Sequence, residues 1–309
     1  MEKDFHYYLI YAMAKITKLN NPDIVAYASQ FVDDNNEGQF SINGEEINFP
    51  QRLKANGGYY YPIMTQSLSP ISLDPYVQKY VYVPFHFLPG DNNVKIKGVG
   101  NPLSVTPNST NARAILSKIL DSDNPYLIGI ALHTFADTWS HQNFTGLREE
   151  WNSVYPWYNV FKSIVPNIGH AEAGHAPDVI SEPWIDYRFG NKTINNKERT
   201  LEDVKEIYTH LQRKTQKGFS WDDVKNAFKK IVDTEDYDER IKAIGNFLKE
   251  SDYGQIPKYS KDTWIDDALE KNEEGIVLKP NFTASRWYNF HQAAKIHFGN
   301  VMGLVKEIL

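Results

Sequence analysis

The sequence predicts a mostly α fold, a single helical domain over residues 1–309 with a loop-rich insertion at 35–111 and C-terminal helices at 200–309. Three observations point that way. Apolar residues recur at helical spacing near both ends and in the middle of the chain. Residues 35–111 carry instead the Gly, Pro and Asn-Gly punctuation of turns and hairpins. A composition of 41% hydrophobic and 23% charged residues is that of an ordinary folded protein, which excludes wholesale disorder.

Taken in order, residues 4–19 read as a first helix, broken at Asn21-Pro22-Asp23. Asp23 is the expected N-cap of a second helix ending near Asp33. Gln39 to Ile42, Asn43-Gly44 and Glu45 to Phe49 form a β-hairpin signature, since Asn-Gly suits a type I′ turn. Tyr80 to Phe87 reads as a short strand or an extended wall. Helical periodicity returns at Ala112–Leu120, breaks at Asp121–Pro125 and resumes from Tyr126 to about Asn143. Residues 150–199 are irregular, with Trp151, Trp157 and Trp184 among several Pro and Gly. Thr200-x-x-Asp203 and Ser220-x-x-Asp223 resemble helix starts, and helices near 200–217, 220–232 and 236–250 follow. A last helix runs from about Ala284 to Ile308.

Composition also bounds the chemistry. The chain has no cysteine, which excludes disulfides, thiol catalysis, iron–sulfur clusters and Cys-type zinc sites. A net charge of −6 argues against non-specific binding of nucleic acid by a basic surface. No apolar run approaches the roughly 20 residues of a membrane helix. The opening residues, Met1 to Tyr8, contain two acids and a histidine where a secretory signal has basic and then apolar residues, so no signal peptide and a cytoplasmic location are expected. Any metal must be held by His, Asp, Glu, backbone or water, and nine histidines are available.

The sharpest pattern is His133-Thr-Phe-Ala-Asp137-Thr-Trp-Ser-His141. Residues four apart share one helix face. The flanking residues Leu127, Ile128, Ile130, Ala131, Leu132, Phe135 and Ala136 are apolar, so this ionisable stripe is expected inside or beside the core. Buried ionisable groups need a partner, and a metal ion held by His nitrogen and Asp oxygen is the economical one. A second cluster, Gly169-His170-Ala-Glu-Ala-Gly174-His175-Ala-Pro-Asp178, offers two more histidines and an aspartate among small residues. Glu172-x-x-His175 is half of a di-iron carboxylate motif, but no second Glu-x-x-His completes it. His6 on the first helix, Asp33 or Asp34 at the end of the second, and His86 in an aromatic-rich loop are weaker candidates. His210 reads as a surface residue, and His291 and His297 as packing or surface residues.

In this order, His6, Asp33 or Asp34, His86, His133-x3-Asp137, His141 and His175-x2-Asp178 resemble the ligand series of the all-helical zinc-dependent phospholipase C and single-strand zinc nuclease superfamily. The chain also resembles an uncharacterised bacterial family with a Phe-His-Tyr-Tyr start, an Ala-Gln-Phe-Val-Asp-like second helix and a His-Thr-x-Ala-Asp-Thr core, present here as Phe5–Tyr8, Ser29–Asp33 and His133–Thr138. The superfamily resemblance implies that fold type and a cluster of two or three ions, zinc first, with manganese or iron as alternatives. It assigns the bridging role to Asp137 and implies hydrolysis of a phosphoester. In those enzymes the free amino group of residue 1 is also a ligand. Here His6 lies five residues in, so Asp4 is a candidate substitute, and His170 an additional or alternative ligand. A small phosphodiester or lipid headgroup is the expected substrate, with nucleic acid less favoured by charge. The rival expectation is a non-catalytic, metal-stabilised binding or assembly module.

Overall fold

The first helix is buried from end to end. A π-helical segment, Asp4–Leu9, runs into α1 (Ile10–Ile16), and Phe5, His6, Leu9, Ile10 and Ala12 to Ala14 are all inaccessible to solvent. The computed structural model describes residues 1–36, 53–55, 58–91, 93–155, 165–273 and 275–309, and within them the chain is mostly helical. The expected hairpin around Asn43-Gly44 and the expected Trp157 lie outside the described residues.

In α2 (Pro22–Asp34) the N-cap is Asn21, in the left-handed region at φ 53°, with Pro22 at the first helical position. Asp23 therefore sits in the first turn and does not cap it. Short strands β1 (Leu53–Ala55) and β2 (Gly58–Tyr60) pair antiparallel. The Tyr80–Phe87 stretch is helical up to Phe85, contrary to the strand expected there: α3 (Pro75–Val77), a π-helical segment Gln78–Tyr82 and α4 (Val83–Phe85) follow without a break. The start explains the difference. The Asp74 carboxylate accepts from the Tyr76 amide at 2.8 Å and Pro75 takes the first helical position, while Val81, Val83 and Phe85 are buried. Strands β3 (Lys95–Ile96) and β4 (Val99–Gly100) form a minimal hairpin.

The central helices are α5 (Thr110–Leu120), capped by Ser109, and α6 (Pro125–Ser140), whose cap Asn124 accepts from the amides of Tyr126 and Leu127. The irregular region holds a hairpin of β5 (Trp184–Asp186) and β6 (Lys192–Ile194). Helix α7 (Asn196–Thr215) begins earlier than the Thr200 signal suggests. Asn195 caps it, and Thr200 and Asp203 are buried inside it. The Ser220 signal is a true start: Ser220 and Asp223 form a reciprocal capping box for α8 (Trp221–Asp233). Then come α9 (Tyr237–Glu250), α10 (Asp262–Ala268), the hairpin β7 (Leu269–Asn272) with β8 (Gly275–Leu278), and α11 (Arg286–Val305).

Helices α2 and α6 cross closely because Gly129 faces the α2 backbone. A Cβ there would lie 2.3 Å from the Val25 carbonyl oxygen and 2.7 Å from Ala28 Cβ. Trp264 of α10 stacks on Tyr27 with ring centroids 4.0 Å apart, and Phe290 of α11 packs edge-on to Phe31 at 4.9 Å. The link between α9 and α10 has no regular structure. Tyrosine hydroxyls from the first two helices bind its carbonyls: Tyr7 donates to Pro257 at 2.8 Å, Tyr11 to Gln255 at 3.4 Å, and Tyr27 to Ser260. Among the described residues no helix is long and apolar enough to cross a membrane.

Candidate metal centre

Helix α6 presents His133 and Asp137 on one face, and His141 follows as its C-cap. All three are buried, and the chain folds around them. His6 comes from the first helix, with Nε2 3.1 Å from Asp137 Oδ1. His86, just after α4, places Nδ1 3.0 Å from Asp137 Oδ2 and 3.2 Å from His133 Nε2. Asp33, at the end of α2, has Oδ1 3.7 Å from His133 Nε2 and 3.9 Å from His86 Nδ1. On the other side, Asp178 lies 3.3 Å from His141 Nε2 and 3.2 Å from His170 Nε2. Among the described residues three groups that could hold a metal ion result: His6–His133–Asp137, Asp33–His86–His133 and His141–His170–Asp178.

Three of the sequence candidates stand apart. Asp34 accepts from the Tyr259 hydroxyl at 2.6 Å and from the Gln30 amide at 3.3 Å, which leaves Asp33 as the acid facing the histidines. His175 is exposed and outside the three groups, though it lines the same cavity. Asp4 is likewise elsewhere: its carboxylate is buried against Arg240 of α9. Glu172 anchors the loop after Asn152, accepting from Ser153 Oγ at 3.1 Å and the Val154 amide at 3.0 Å. The α-amino nitrogen of Met1, which the superfamily resemblance implied as a ligand and for which Asp4 was the candidate substitute, itself lies 2.8 Å from Asp137 Oδ1 and 3.2 Å from Asp178 Oδ1.

The histidine rings are oriented from outside. A carbonyl oxygen only accepts, so the ring nitrogen facing it must donate. His86 Nε2 donates to Thr65 O at 2.8 Å, His141 Nδ1 to His86 O at 2.8 Å, and His170 Nδ1 to Gly174 O at 2.9 Å. In a neutral ring this leaves the inward nitrogen bearing a lone pair. Neutral His86 and His170 rings would thus point Nδ1 and Nε2 lone pairs at carboxylate oxygens 3.0 and 3.2 Å away. Burial opposes the charge on His141, but Asp137 and Asp178 raise its pKa above the ordinary value, so that its Nε2 can donate to Asp178 at 3.3 Å. Two acceptors at that distance repel unless a cation joins them. The spacing itself fits a shared ion, because ligands bonded at about 2.1 Å to one ion stand roughly 3.0–3.4 Å from each other.

Electrostatics agree with a cation-hungry site. Burial opposes ionisation of Asp137 and Asp178, yet the neighbouring histidines and the Met1 amine hold both carboxyls well below the usual range. Burial likewise opposes the charge on the Met1 amine, but Asp137 and Asp178 raise it to about 11. Burial pushes Asp33 up to about 6, with Asp137 adding to it and His133 opposing. Burial holds His6 well below its ordinary value, helped by His133.

A cavity of about 470 Å³ opens onto the centre, lined by Met1, Asp33, His86, Asp137, His141, His170, His175 and Asp178 on the ligand side. Gln66, Ser67, Leu68 and Ser72 form one wall, and Tyr82, Phe87, Pro166 and Ile168 others. Among the described residues no Lys or Arg lines it. Phe87 stacks on His141 at 4.4 Å, and the loop carrying His170 approaches it through Gly169, at φ 52°, where a Cβ would lie 2.4 Å from Phe87 Cζ. His297 of α11 donates to Pro84 O at 3.1 Å, tying α11 to the His86 segment. His291 accepts from the Ile63 amide at 3.2 Å. Both are buried packing residues, and neither joins the three groups.

No curated protein and no solved structure matches the chain. The profile of a family of unknown function (DUF6765) matches residues 1–305, nearly the whole length. The chain therefore belongs to the DUF6765 family.

Proposed function

We propose that the protein is a metal-dependent hydrolase of phosphoesters, with zinc as the first choice of ion and two or three ions held by His6, Asp33, His86, His133, Asp137, His141, His170 and Asp178. The observation that carries this reading is the set of histidines fixed from behind by backbone carbonyls, their free nitrogens facing carboxylates across 3.0–3.3 Å. A site built only to staple helices together is closed on all sides. Here the outer group, His141–His170–Asp178, lines a cavity of about 470 Å³.

Bound ions would supply Lewis acidity and an activated water for displacement at phosphorus. The chain's own residues do the positioning. Asp137, with Oδ1 toward His6 and Oδ2 toward His86 and His133, would offer a carboxylate oxygen to an ion on either side. Tyr259 and Gln30 hold Asp34 aside, so the end of α2 presents one carboxylate to the site instead of two. With no Lys or Arg among the described lining residues, the anionic charge of a substrate would fall to the ions. That favours an ester with a single phosphate, such as a small phosphodiester or lipid headgroup, over a polyanion.

The test pairs elemental analysis of purified protein with turnover of a chromogenic phosphodiester. Two or three zinc ions per chain, and turnover lost in Asp137→Asn, are expected. Protein that neither carries metal nor gains turnover from added zinc or manganese refutes the proposal. If Asp137→Asn loses metal and stability while the wild type turns over no phosphoester, the centre is structural.

A further inference from the structure

The three ligand groups are held by different means. His133, Asp137, Asp33 and His6 are carried by helices, whose backbone is rigid. His170 and Asp178 are not. They sit on a segment whose regular structure is one short 3₁₀ turn, Ala171–Ala173, followed by further turns. A ligand must be held within about 0.5 Å to bind well, so something outside this segment has to fix it.

The first turn of α7 is that support. Asn196, 3% exposed, aims its amide into the turn that follows His175. Its Nδ2 lies 2.6 Å from Ala176 O, 2.8 Å from Val179 O and 2.8 Å from Glu182 O, so two hydrogens are shared among three carbonyls. Its Oδ1 accepts from Arg199 Nη2 at 2.6 Å, and the same Nη2 lies 3.1 Å from Pro177 O. The turn is closed internally where the amides of Asp178 and Val179 reach His175 O at 2.9 and 3.2 Å. Asp178 therefore stands on a loop whose carbonyls on both sides, 176 and 177 before it and 179 after it, are held by this pair. Burial lowers Arg199 to about 10 against the opposing pull of Asp178 and Asp186, and its Nε is buried without a hydrogen-bond partner.

We infer that Asn196 and Arg199 are positioning residues for Asp178, and that through them the outer ion is held independently of the inner ones. The inference rests on the proposed metal centre. It predicts that weakening the first turn of α7 releases one ion and leaves the rest.

The experiment uses the full chain, stripped with chelator and titrated with zinc alone, and reads ions per chain by elemental analysis and affinity by competition. Wild type that binds no zinc brings down the metal reading and this inference with it. If wild type binds zinc, the comparison of variants decides this inference alone. Asn196→Asp keeps the shape but turns a donor into an acceptor facing three carbonyls. Arg199→Gln removes the charge. Each is expected to raise the dissociation constant of the most weakly held ion at least tenfold, with the tighter ions unchanged. In an Asp178→Ala background, which already lacks the outer ligand, Asn196→Asp should cause no further loss of zinc. Unchanged zinc affinity in both variants overturns the inference, whatever happens to the melting temperature. So does parallel loss of all ions in a variant whose helical circular dichroism is intact.

Discussion

The close crossing of α2 and α6 gives a prediction whose size can be worked out. In Gly129→Ala, the new Cβ would lie 2.3 Å from the Val25 carbonyl oxygen, where real Cβ contacts stay above 3.0 Å. The obstacle is backbone, so no side chain can swing away, and the helices must part by about 0.7 Å, the difference between those two distances. Asp33 lies on the same α2, eight residues beyond Val25 or about 12 Å along the axis. His133 lies one turn beyond Gly129 on α6. A parting of that size is several times the ±0.2 Å or so within which metal–ligand distances are held. Overpacking of this kind costs about 1–3 kcal/mol, and a displaced ligand lowers metal affinity by about 10–100-fold. Gly129→Ala should thus be less stable by about 2 kcal/mol in urea unfolding and should bind zinc at least about tenfold more weakly in competition titration. A variant with wild-type stability and wild-type zinc affinity would refute the claim that this glycine sets the distance between the two halves of the centre.

Further outcomes follow from other parts of the fold. Arg240→Met strands the Asp4 carboxylate, 1% exposed, among buried groups, and should cost about 3–5 kcal/mol in urea unfolding; the double variant Asp4→Leu/Arg240→Met should recover most of it, and no recovery would contradict the pairing. His291, held at about 3 by burial with Lys295 adding to the effect, stays neutral in the fold while the unfolded chain takes up a proton below about 6.5. Stability should therefore fall as pH drops through that window, by about 1.4 kcal/mol per unit from this residue. His291→Asn should flatten the slope, and an unchanged slope would show that other groups set it. Chelator-stripped protein should gain about 2.7 kcal/mol in urea unfolding when free zinc reaches 100 times its dissociation constant, and the absence of any metal-dependent shift would remove the basis for the centre.

Local order was the readable part of the chain. The His133–Asp137–His141 stripe shows in the sequence because one helix carries it, and i, i+4 spacing is a local property. Ser220 with Asp223 is local for the same reason. Tyr80–Phe87 misled because its aromatic and β-branched residues suit a strand, while the decision was made upstream, by the Asp74 cap and Pro75, and by burial of Val81, Val83 and Phe85. Thr200 and Asp203 resembled a helix start, but Asn195 caps α7 five residues before Thr200. The choice between Asp33 and Asp34 was invisible because it depends on Tyr259, 225 residues away from Asp34 in the chain. The roles of Met1, Asn196 and Arg199 are tertiary in the same way: each acts on a group brought near only by folding.

The tyrosine-laced link between α9 and α10 has a consequence for how the protein is degraded. Its sequence, with Gly254, Pro257 and the exposed Lys258, looks like an easy place for trypsin to cut. A protease must draw the chain into its cleft in an extended form, which requires releasing the carbonyls of Gln255, Pro257 and Ser260 from phenols rooted in the two N-terminal helices. Those phenols leave only when the helices do. Cleavage at Lys258 should thus be rare in the native protein and should track global unfolding, making this coil-like segment a reporter of the stability of the whole N-terminal core.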